Sequence, residues 1–180
     1  MEISAFLNYL TSQPTYSHQI VHIEHIPPRE EKCAGLAEPL ETKLQDCLRA
    51  HSLSCLYTHQ TETVNNARRD RNVMVATTNA SGKSLCYNIA VLQTLLTKPD
   101  SRALYLFPTK ALAHDQLRAL QELFCPSLFR AEEFATFDGD TPPPERAEIR
   151  KRARIILTNP DISTSVFCPI INLGRGCCAT

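Results

Sequence analysis

The sequence is poor in the features that mark several classes of protein. Its 180 residues contain no tryptophan and only five glycines, and 19 basic residues balance 19 acidic ones. A neutral chain generates no strong overall field toward nucleic acid or an anionic membrane, so binding of such partners has to come from local contacts. No apolar run approaches bilayer-spanning length, and the N-terminus has no basic or long apolar region. We therefore expect a soluble cytoplasmic protein without a membrane partner.

The eight cysteines do not form zinc-binding pairs, because none falls in a Cys-x-x-Cys pair with ligand spacing. Scattered single cysteines are typical of reduced thiols, some buried as small apolar groups, so no disulfide framework is expected. His18, His22 and His25 have the spacing of one helical face. The break at Pro27-Pro28 and the lack of a ligand cluster nearby favour a solvated segment over a metal site.

Apolar segments alternate with helical patterns through the middle of the chain. The pattern predicts strands at 73–76, 103–107, 133–137 and 154–157 and helices at 84–97, 110–124 and 142–152. Helices are also predicted at 2–10, around Leu40, Leu44 and Leu48, and at 58–70. Strands separated by helices imply parallel βαβ units, so the predicted fold class is α/β with a parallel sheet flanked by helices.

A loop of small residues that ends in Gly-Lys-Ser is the most informative local pattern. Residues 76–84 follow a predicted strand and open a predicted helix, which is how proteins hold a triphosphate. Small side chains let consecutive amides converge on phosphate oxygens, Lys83 adds a charge, and Ser84 offers a hydroxyl to Mg²⁺. The predicted phosphate-binding residues are Thr77, Thr78, Asn79, Ala80, Ser81, Gly82, Lys83 and Ser84. The alternative is a helix N-terminus that carries Ser-Gly-Lys-Ser by chance.

Two further segments stand directly after predicted strands: Pro108-Thr109-Lys110 and Thr158-Asn159-Pro160. Ligands of open α/β sheets bind beyond the carboxyl ends of the strands. A hydroxyl, an ammonium and helix-start amides in the first segment suit a nucleic-acid backbone. The alternative is an ordinary strand-to-helix turn.

In this order the three segments resemble motifs I, Ia and Ib of the superfamily 2 DEAD/DEAH-box helicases. More narrowly, they resemble a bacterial and fungal branch whose phosphate loop reads TGTASGKS. Residues 56–60, Leu-Tyr-Thr-His-Gln, resemble the adenine-reading glutamine motif of that branch, and residues 137–141, Phe-Asp-Gly-Asp-Thr, resemble its acidic turn. The resemblance runs from about Pro39 to Asp161.

This resemblance implies a partial RecA-like P-loop NTPase domain at residues 33–161, after an N-terminal extension and linker at 1–32. The implied cofactors are ATP and Mg²⁺, with Ser84 as the metal ligand, and the implied partner is a nucleic acid, either DNA or RNA. The residues that correspond to adenine contacts are Tyr57 and Gln60. The residues that correspond to nucleic-acid contacts are Pro108, Thr109, Lys110, Thr158, Asn159 and Pro160.

The sequence departs from the branch at two loop positions and lacks one motif. Thr78 stands where glycine is usual and Asn79 where threonine is usual, and a β-branched residue is strained if its position needs a positive φ. No apolar run is followed by Asp-Glu, the pair that family members use to hold Mg²⁺ and orient the attacking water. We therefore assign no catalytic residue and expect ATP binding with very slow turnover at most.

Residues 162–180 form an atypical tail that does not continue the family pattern. One hypothesis is that this tail is translated out of frame, which the nucleotide sequence of the gene would decide. Three functions remain open from the sequence: a truncated N-terminal part of an ATP-dependent helicase, a small kinase with an unrelated phosphate loop, and a non-catalytic P-loop-fold interaction module that no longer binds nucleotide.

Overall fold

A computed structural model of the chain describes residues 2–27, 32–125 and 127–160. The chain divides into two compact units at residue 31. Among its described residues the first unit contains one helix, α1 (Ile3–Thr11), which confirms the helix predicted at 2–10. No residue of α1 is buried. Residues 19–27 have no regular secondary structure, so the histidines at 18, 22 and 25 do not share a helical face.

The second unit is an α/β fold. Its helices are α2 (Thr42–Ala50), α3 (Thr58–Ala67), α4 (Lys83–Thr97), α5 (Lys110–Phe124) and α6 (Pro143–Arg152), and its strands are β1 (Ala103–Leu106), β2 (Phe134–Thr136) and β3 (Ile155–Thr158). The strands form a parallel sheet in the order β1-β3-β2, and Ile156 of β3 lies in register with Leu104 on one side and Ala135 on the other. The predicted α/β class with a parallel sheet flanked by helices is confirmed.

The central strand β3 is buried on both faces of the sheet. Ile155 and Leu157 belong to the larger hydrophobic core, which also contains Phe124 of α5. Ile156 points to a smaller core on the other face, where it meets Ile149 of α6. Successive side chains of a strand alternate between the two faces, so a strand covered on both sides reads as an unbroken apolar run, here Ile-Ile-Leu.

Helix α4, which begins at the predicted phosphate loop, is fixed to the sheet by a buried polar contact. The hydroxyl of Tyr105 on β1 donates to Oδ1 of Asn88 on α4 at 3.0 Å. The ring of Tyr105 also meets the ring of Tyr87 edge to face, with centroids 5.2 Å apart. Burial raises the pKa of Tyr105, so its hydroxyl keeps the proton that it donates to Asn88. The start of α4 therefore has a fixed position relative to the sheet.

The strand predicted at 73–76 does not form, and that prediction was wrong. Residues 71–78 have no regular secondary structure, and the side chains of Val73 and Met74 are 40% and 93% exposed. None of the three described strands pairs with this segment. A strand is stabilised by hydrogen bonds to a neighbouring strand, so an apolar sequence alone does not create one.

The expectation that all cysteines are reduced thiols was also wrong. Cys33 and Cys55 form a disulfide across 22 residues of sequence. An antiparallel bridge between Cys33 and Tyr57 brings the two segments together. Such proximity depends on the path of the chain, which cysteine spacing does not reveal. Cys47, Cys86 and Cys125 are free, and Cys168, Cys177 and Cys178 lie outside the described residues, together with the predicted tail at 162–180.

Candidate functional site

The loop from Thr77 to Ser84 turns sharply before α4 begins at Lys83. Two of its residues have left-handed backbone conformations, Ala80 with φ of 58° and Gly82 with φ of 72°. Thr78 is not among the residues with positive φ, so its β-branched side chain is not strained by a left-handed backbone. The left-handed backbone instead falls on Ala80, a residue with a small side chain.

The amides of residues 80–84 donate no hydrogen bond to an oxygen of the described part of the protein. The first amide with a partner is that of Leu85, which donates to the Gly82 carbonyl at 3.0 Å. Consecutive unpaired amides at the start of a helix form an anion-binding site, to which the positive end of the helix dipole contributes. This loop can therefore receive phosphate oxygens.

The side chain of Lys83 folds back over the loop. Its ammonium donates to the carbonyl oxygen of Thr78 at 2.6 Å and to that of Thr77 at 3.3 Å. Lysine is a flexible point-charge donor, so these backbone carbonyls occupy the ammonium without fixing it permanently. A phosphate group placed on the loop would meet this charge directly.

Thr77 and Ser81 lie in the loop, and Ser84 lies in the first turn of α4. The hydroxyl of Thr77 hydrogen-bonds to the hydroxyl of Ser81, which closes the loop across Asn79. Ser84 is exposed in the first turn of α4. Its hydroxyl is of the type that Mg²⁺ accepts beside phosphate oxygens and water.

Gln60 connects α3 to this loop. Its Oε1 accepts from the backbone amide of Tyr57 at 2.9 Å, and its Nε2 donates to the carbonyl oxygen of Gly82 at 3.2 Å. The side chain is only 3% exposed. A Cβ atom on Gly82 would lie 2.5 Å from Nε2 of Gln60, so the Gln60 side chain would have to shift, and the positive φ of residue 82 also favours glycine. Gln60 therefore holds the loop through its amide, in addition to the adenine contact that the sequence predicts for it.

His59 makes a loop contact that the sequence analysis missed. Its Nε2 lies 2.9 Å from the carbonyl oxygen of Ser81, and its ring is stacked with that of Tyr57 at 5.9 Å. The contact joins residues 22 positions apart, and no local pattern signals it. The structure thus brings Tyr57, His59 and Gln60 together with the predicted phosphate loop.

The other two predicted segments lie at the carboxyl edge of the sheet. Thr109 caps α5, because its hydroxyl accepts from the amide of Leu112 at 3.2 Å, while Pro108 is exposed. Thr158 is 1% exposed and its hydroxyl donates to the carbonyl oxygen of Phe137, and Asn159 is fully buried. Of the second segment only Pro160 has an exposed side chain, so Thr158 and Asn159 help to shape the edge from within.

The acidic turn at 137–141 meets α5 at this edge. The ammonium of Lys110 lies 2.7 Å from the carboxylate of Asp140. One helical turn later, Nε2 of His114 lies 3.3 Å from the carboxylate of Asp138. The sequence predicted Lys110 as a contact residue but gave His114 no role.

Asp138 is the best-anchored carboxylate of the turn. Its Oδ1 accepts from the amide of Asp140 at 2.9 Å and from the hydroxyl of Thr141 at 3.3 Å. Burial by itself raises the pKa of Asp138, but the hydrogen bonds to the carboxylate and the charge of Lys110 outweigh it and lower the pKa. Asp138 is therefore an ionised anchor of the turn at neutral pH.

Across the described part of the chain, no helix has both the length and the apolar character needed to cross a membrane.

Comparisons with known proteins cover most of the chain. The sequence model of the DEAD/DEAH box helicase family matches residues 57–174. ATP-dependent helicase HRQ1 of Saccharomyces cerevisiae is 41% identical over 168 residues, which are 92% of this chain and 15% of that protein. The uncharacterized ATP-dependent helicase YprA of Bacillus subtilis is 37% identical over 163 residues, which are 91% of this chain and 22% of that protein.

A solved structure shares the fold at a similar identity. The crystal structure of the DUF1998 helicase MrfA bound to DNA and AMPPNP matches with a TM-score of 0.79 and 34% identity, over 96% of this chain and 24% of that one. The MrfA structure bound to DNA matches with a TM-score of 0.74 over 89% of this chain and 22% of that one. The chain therefore spans no more than about a quarter of the relatives that it matches.

Proposed function

Because the chain belongs to the DEAD/DEAH box helicase family, we propose that it binds ATP with Mg²⁺ at residues 77–84 and a nucleic-acid strand at the carboxyl edge of its sheet. The observation that carries the nucleotide part is the row of unpaired amides at residues 80–84 beside the Lys83 ammonium. The residues present fit a triphosphate in donor type and number, since they supply N–H donors, a positive charge and a hydroxyl.

The triphosphate would be held by the loop amides and by Lys83. On binding, the Lys83 ammonium exchanges its hydrogen bonds to the Thr77 and Thr78 carbonyls for charge-assisted bonds to phosphate oxygens. Ser84 would provide the protein ligand to Mg²⁺, which neutralises phosphate charge when bound. Asn79 has an exposed side chain, so its amide group would not obstruct the binding of a phosphate.

The adenine base would contact Tyr57 and Gln60. Tyr57 lies at the start of α3 and presents a ring that already stacks on His59. The amide of Gln60 carries both a donor and an acceptor, which is what distinguishes adenine from guanine. In the unbound structure Oε1 is bonded to the Tyr57 amide, Nε2 is bonded to Gly82, and the side chain is 3% exposed, so contact with a base requires this side chain to become accessible. Because Gln60 also bonds to Gly82, occupation of the base site is linked directly to the phosphate loop.

The nucleic-acid strand would contact Pro108, Thr109 and Lys110, together with Pro160, which follows β3 and has an exposed side chain. The buried Asn159 would support this edge from within. The positive end of the α5 helix dipole and the Lys110 ammonium are groups that attract a phosphate backbone and read no base sequence. The matching MrfA structures are described as bound to DNA, which makes single-stranded DNA the first strand to test here. RNA remains the alternative strand.

We propose no rapid hydrolysis by this 180-residue chain alone. Its sequence contains no apolar run followed by Asp-Glu. Phosphoryl transfer depends on positioned charges around the γ-phosphate, and binding groups without them hold the nucleotide without turning it over quickly. We do not propose that this chain unwinds nucleic acid by itself, because it matches only 15% and 22% of the length of the two helicases to which it is similar.

A titration with a fluorescent ATP analogue and Mg²⁺ tests the nucleotide site. We expect Lys83→Ala to weaken binding by about tenfold or more, because it removes a charge-assisted contact to phosphate. Lys98→Ala is the matched control, since Lys98 follows the last residue of the same helix. Equal weak binding by the wild-type chain and Lys83→Ala would reject the nucleotide site and support the non-catalytic interaction module instead.

A further inference from the structure

Two side chains on one face of α5 are contacted by carboxylates of the acidic turn. Lys110 and His114 lie one helical turn apart, and they meet Asp140 and Asp138 respectively, at 2.7 and 3.3 Å. Lys110 is the side-chain cation of the proposed strand site. In the unbound protein its ammonium is therefore already close to an anionic oxygen.

Hydrogen bonds from Arg146 hold the backbone of the turn that carries Asp140. Arg146 of α6 donates from Nε to the carbonyl oxygen of Thr141 at 2.7 Å and from Nη2 to that of Gly139 at 3.2 Å. The Asp138 carboxylate accepts from the amide of Asp140. These bonds fix the backbone on both sides of Asp140, so its carboxylate reaches Lys110 from a defined position.

We propose that Asp140 is an internal competitor of the strand phosphate at Lys110 and thereby lowers the affinity of this edge for nucleic acid. The proposal rests on the proposed strand site. A carboxylate oxygen and a phosphate oxygen accept the same hydrogen bonds from an ammonium, and the Asp140 side chain is 83% exposed where a phosphate would approach. A bound phosphate has to displace this carboxylate and tolerate its like charge.

Such competition gives the edge selectivity. A lysine with no carboxylate beside it would attract any polyanion. A lysine paired with a carboxylate binds a phosphate group only when other contacts also bind the strand. The backbone amides of α5 and the end of β3 are the groups that supply those other contacts. Asp140 thus acts as a specificity-determining residue without any role in nucleotide chemistry.

The test compares binding of a fluorescent single-stranded DNA oligonucleotide to the full chain and to Asp140→Asn. We expect Asp140→Asn to bind about two- to fivefold more tightly, the range set by the strength of an exposed ion pair. Asp46→Asn is the matched control, because it removes one negative charge from an exposed pair with Arg49 on α2. The control should bind like the wild-type chain.

A second pair of variants makes the result specific to Lys110. Lys110→Ala should weaken binding, and Asp140→Asn should give no gain beyond that of Asp46→Asn in the Lys110→Ala background. Unchanged or weaker binding by Asp140→Asn, while Lys110→Ala weakens binding, would overturn the competition and leave the strand site standing. If Lys110→Ala binds as the wild type, the Lys110 contact and the competition both fall. Thermal unfolding of each variant establishes that it is folded.

Discussion

The side-chain amide of Gln60 donates a hydrogen bond to the carbonyl oxygen of Gly82 at 3.2 Å, so helix α3 holds the turn on which the phosphate loop ends. The two residues are so close that no side-chain atom at residue 82 fits between them without a shift of Gln60. The same turn carries the left-handed backbone of Gly82, with φ of 72°. Both the close approach and the left-handed backbone conformation favour glycine at residue 82.

Gly82→Ala should therefore be costly. A Cβ atom there would lie 2.5 Å from Nε2 of Gln60, and the alanine would have to adopt a positive φ. We therefore expect the free energy of unfolding to fall by about 1–3 kcal/mol and ATP binding to weaken. Urea denaturation measures the first and the analogue titration the second. Gly35→Ala is the control, because a Cβ atom there meets nothing within 4 Å, and it should change stability by less than about 0.5 kcal/mol. Equal stability of the two variants would contradict the contact with Gln60.

Gln60→Ala should separate base recognition from loop positioning. If the amide reads adenine, the variant loses more affinity for an ATP analogue than for the matching GTP analogue, and we expect this unequal loss. Its magnitude should be about 1–2 kcal/mol, the range for a lost hydrogen bond whose partner stays buried. Parallel titrations of both nucleotides measure it. An equal loss for both would mean that Gln60 acts only through its bond to Gly82.

The disulfide should make the fold sensitive to thiol reductants. Opening the bond between Cys33 and Cys55, which lie 22 residues apart, should lower the free energy of unfolding by about 3 kcal/mol, because the unfolded chain regains the freedom of that loop. Urea denaturation with and without reductant measures the change. The double variant Cys33→Ser, Cys55→Ser should not respond to reductant. Peptide mapping of the oxidised chain should find these two cysteines linked, and full alkylation of both without reductant would refute the bond.

Asp138 should make stability depend on pH at the acidic end. Its pKa is lowered from the ordinary value of 3.8, so the ionised carboxylate stabilises the folded state above that value, and this contribution is lost as the pH falls through the lowered pKa. We expect Asp138→Asn to be less stable than wild type by about 1 kcal/mol at neutral pH. The difference should shrink below about pH 4.

Urea denaturation of Asp138→Asn and wild type over this pH range measures the difference. Asp46→Asn, whose carboxylate is in an exposed pair, should lose little stability at neutral pH. A difference between Asp138→Asn and wild type that stays constant down to acidic pH would show that the carboxylate charge does not anchor the turn.

Much of the fold follows from patterns that are local in the sequence. The predicted helix at 110–124 has the bounds of α5. The predicted strand at 103–107 differs from β1 by one residue at its end, and those at 133–137 and 154–157 differ from β2 and β3 by one residue at each end. Helices and buried strands carry their own periodicity, and a capping residue such as Thr109 marks where a helix begins. The run at 73–76 is apolar like the three strands, but no described strand lies beside it. The sequence of a segment does not specify whether another strand will pair with it.

The sequence by itself determined which residues we propose to hold a phosphate, because the spacing from Thr77 to Ser84 places amides, an ammonium and a hydroxyl on one turn and one helix start. Only the tertiary structure decided what these groups touch. The bond from Gln60 to Gly82, the His59 contact to Ser81 and the pair of Lys110 with Asp140 join residues 22, 22 and 30 positions apart. Contacts over such separations depend on how helices and strands pack together, and no local spacing of residue types specifies that packing.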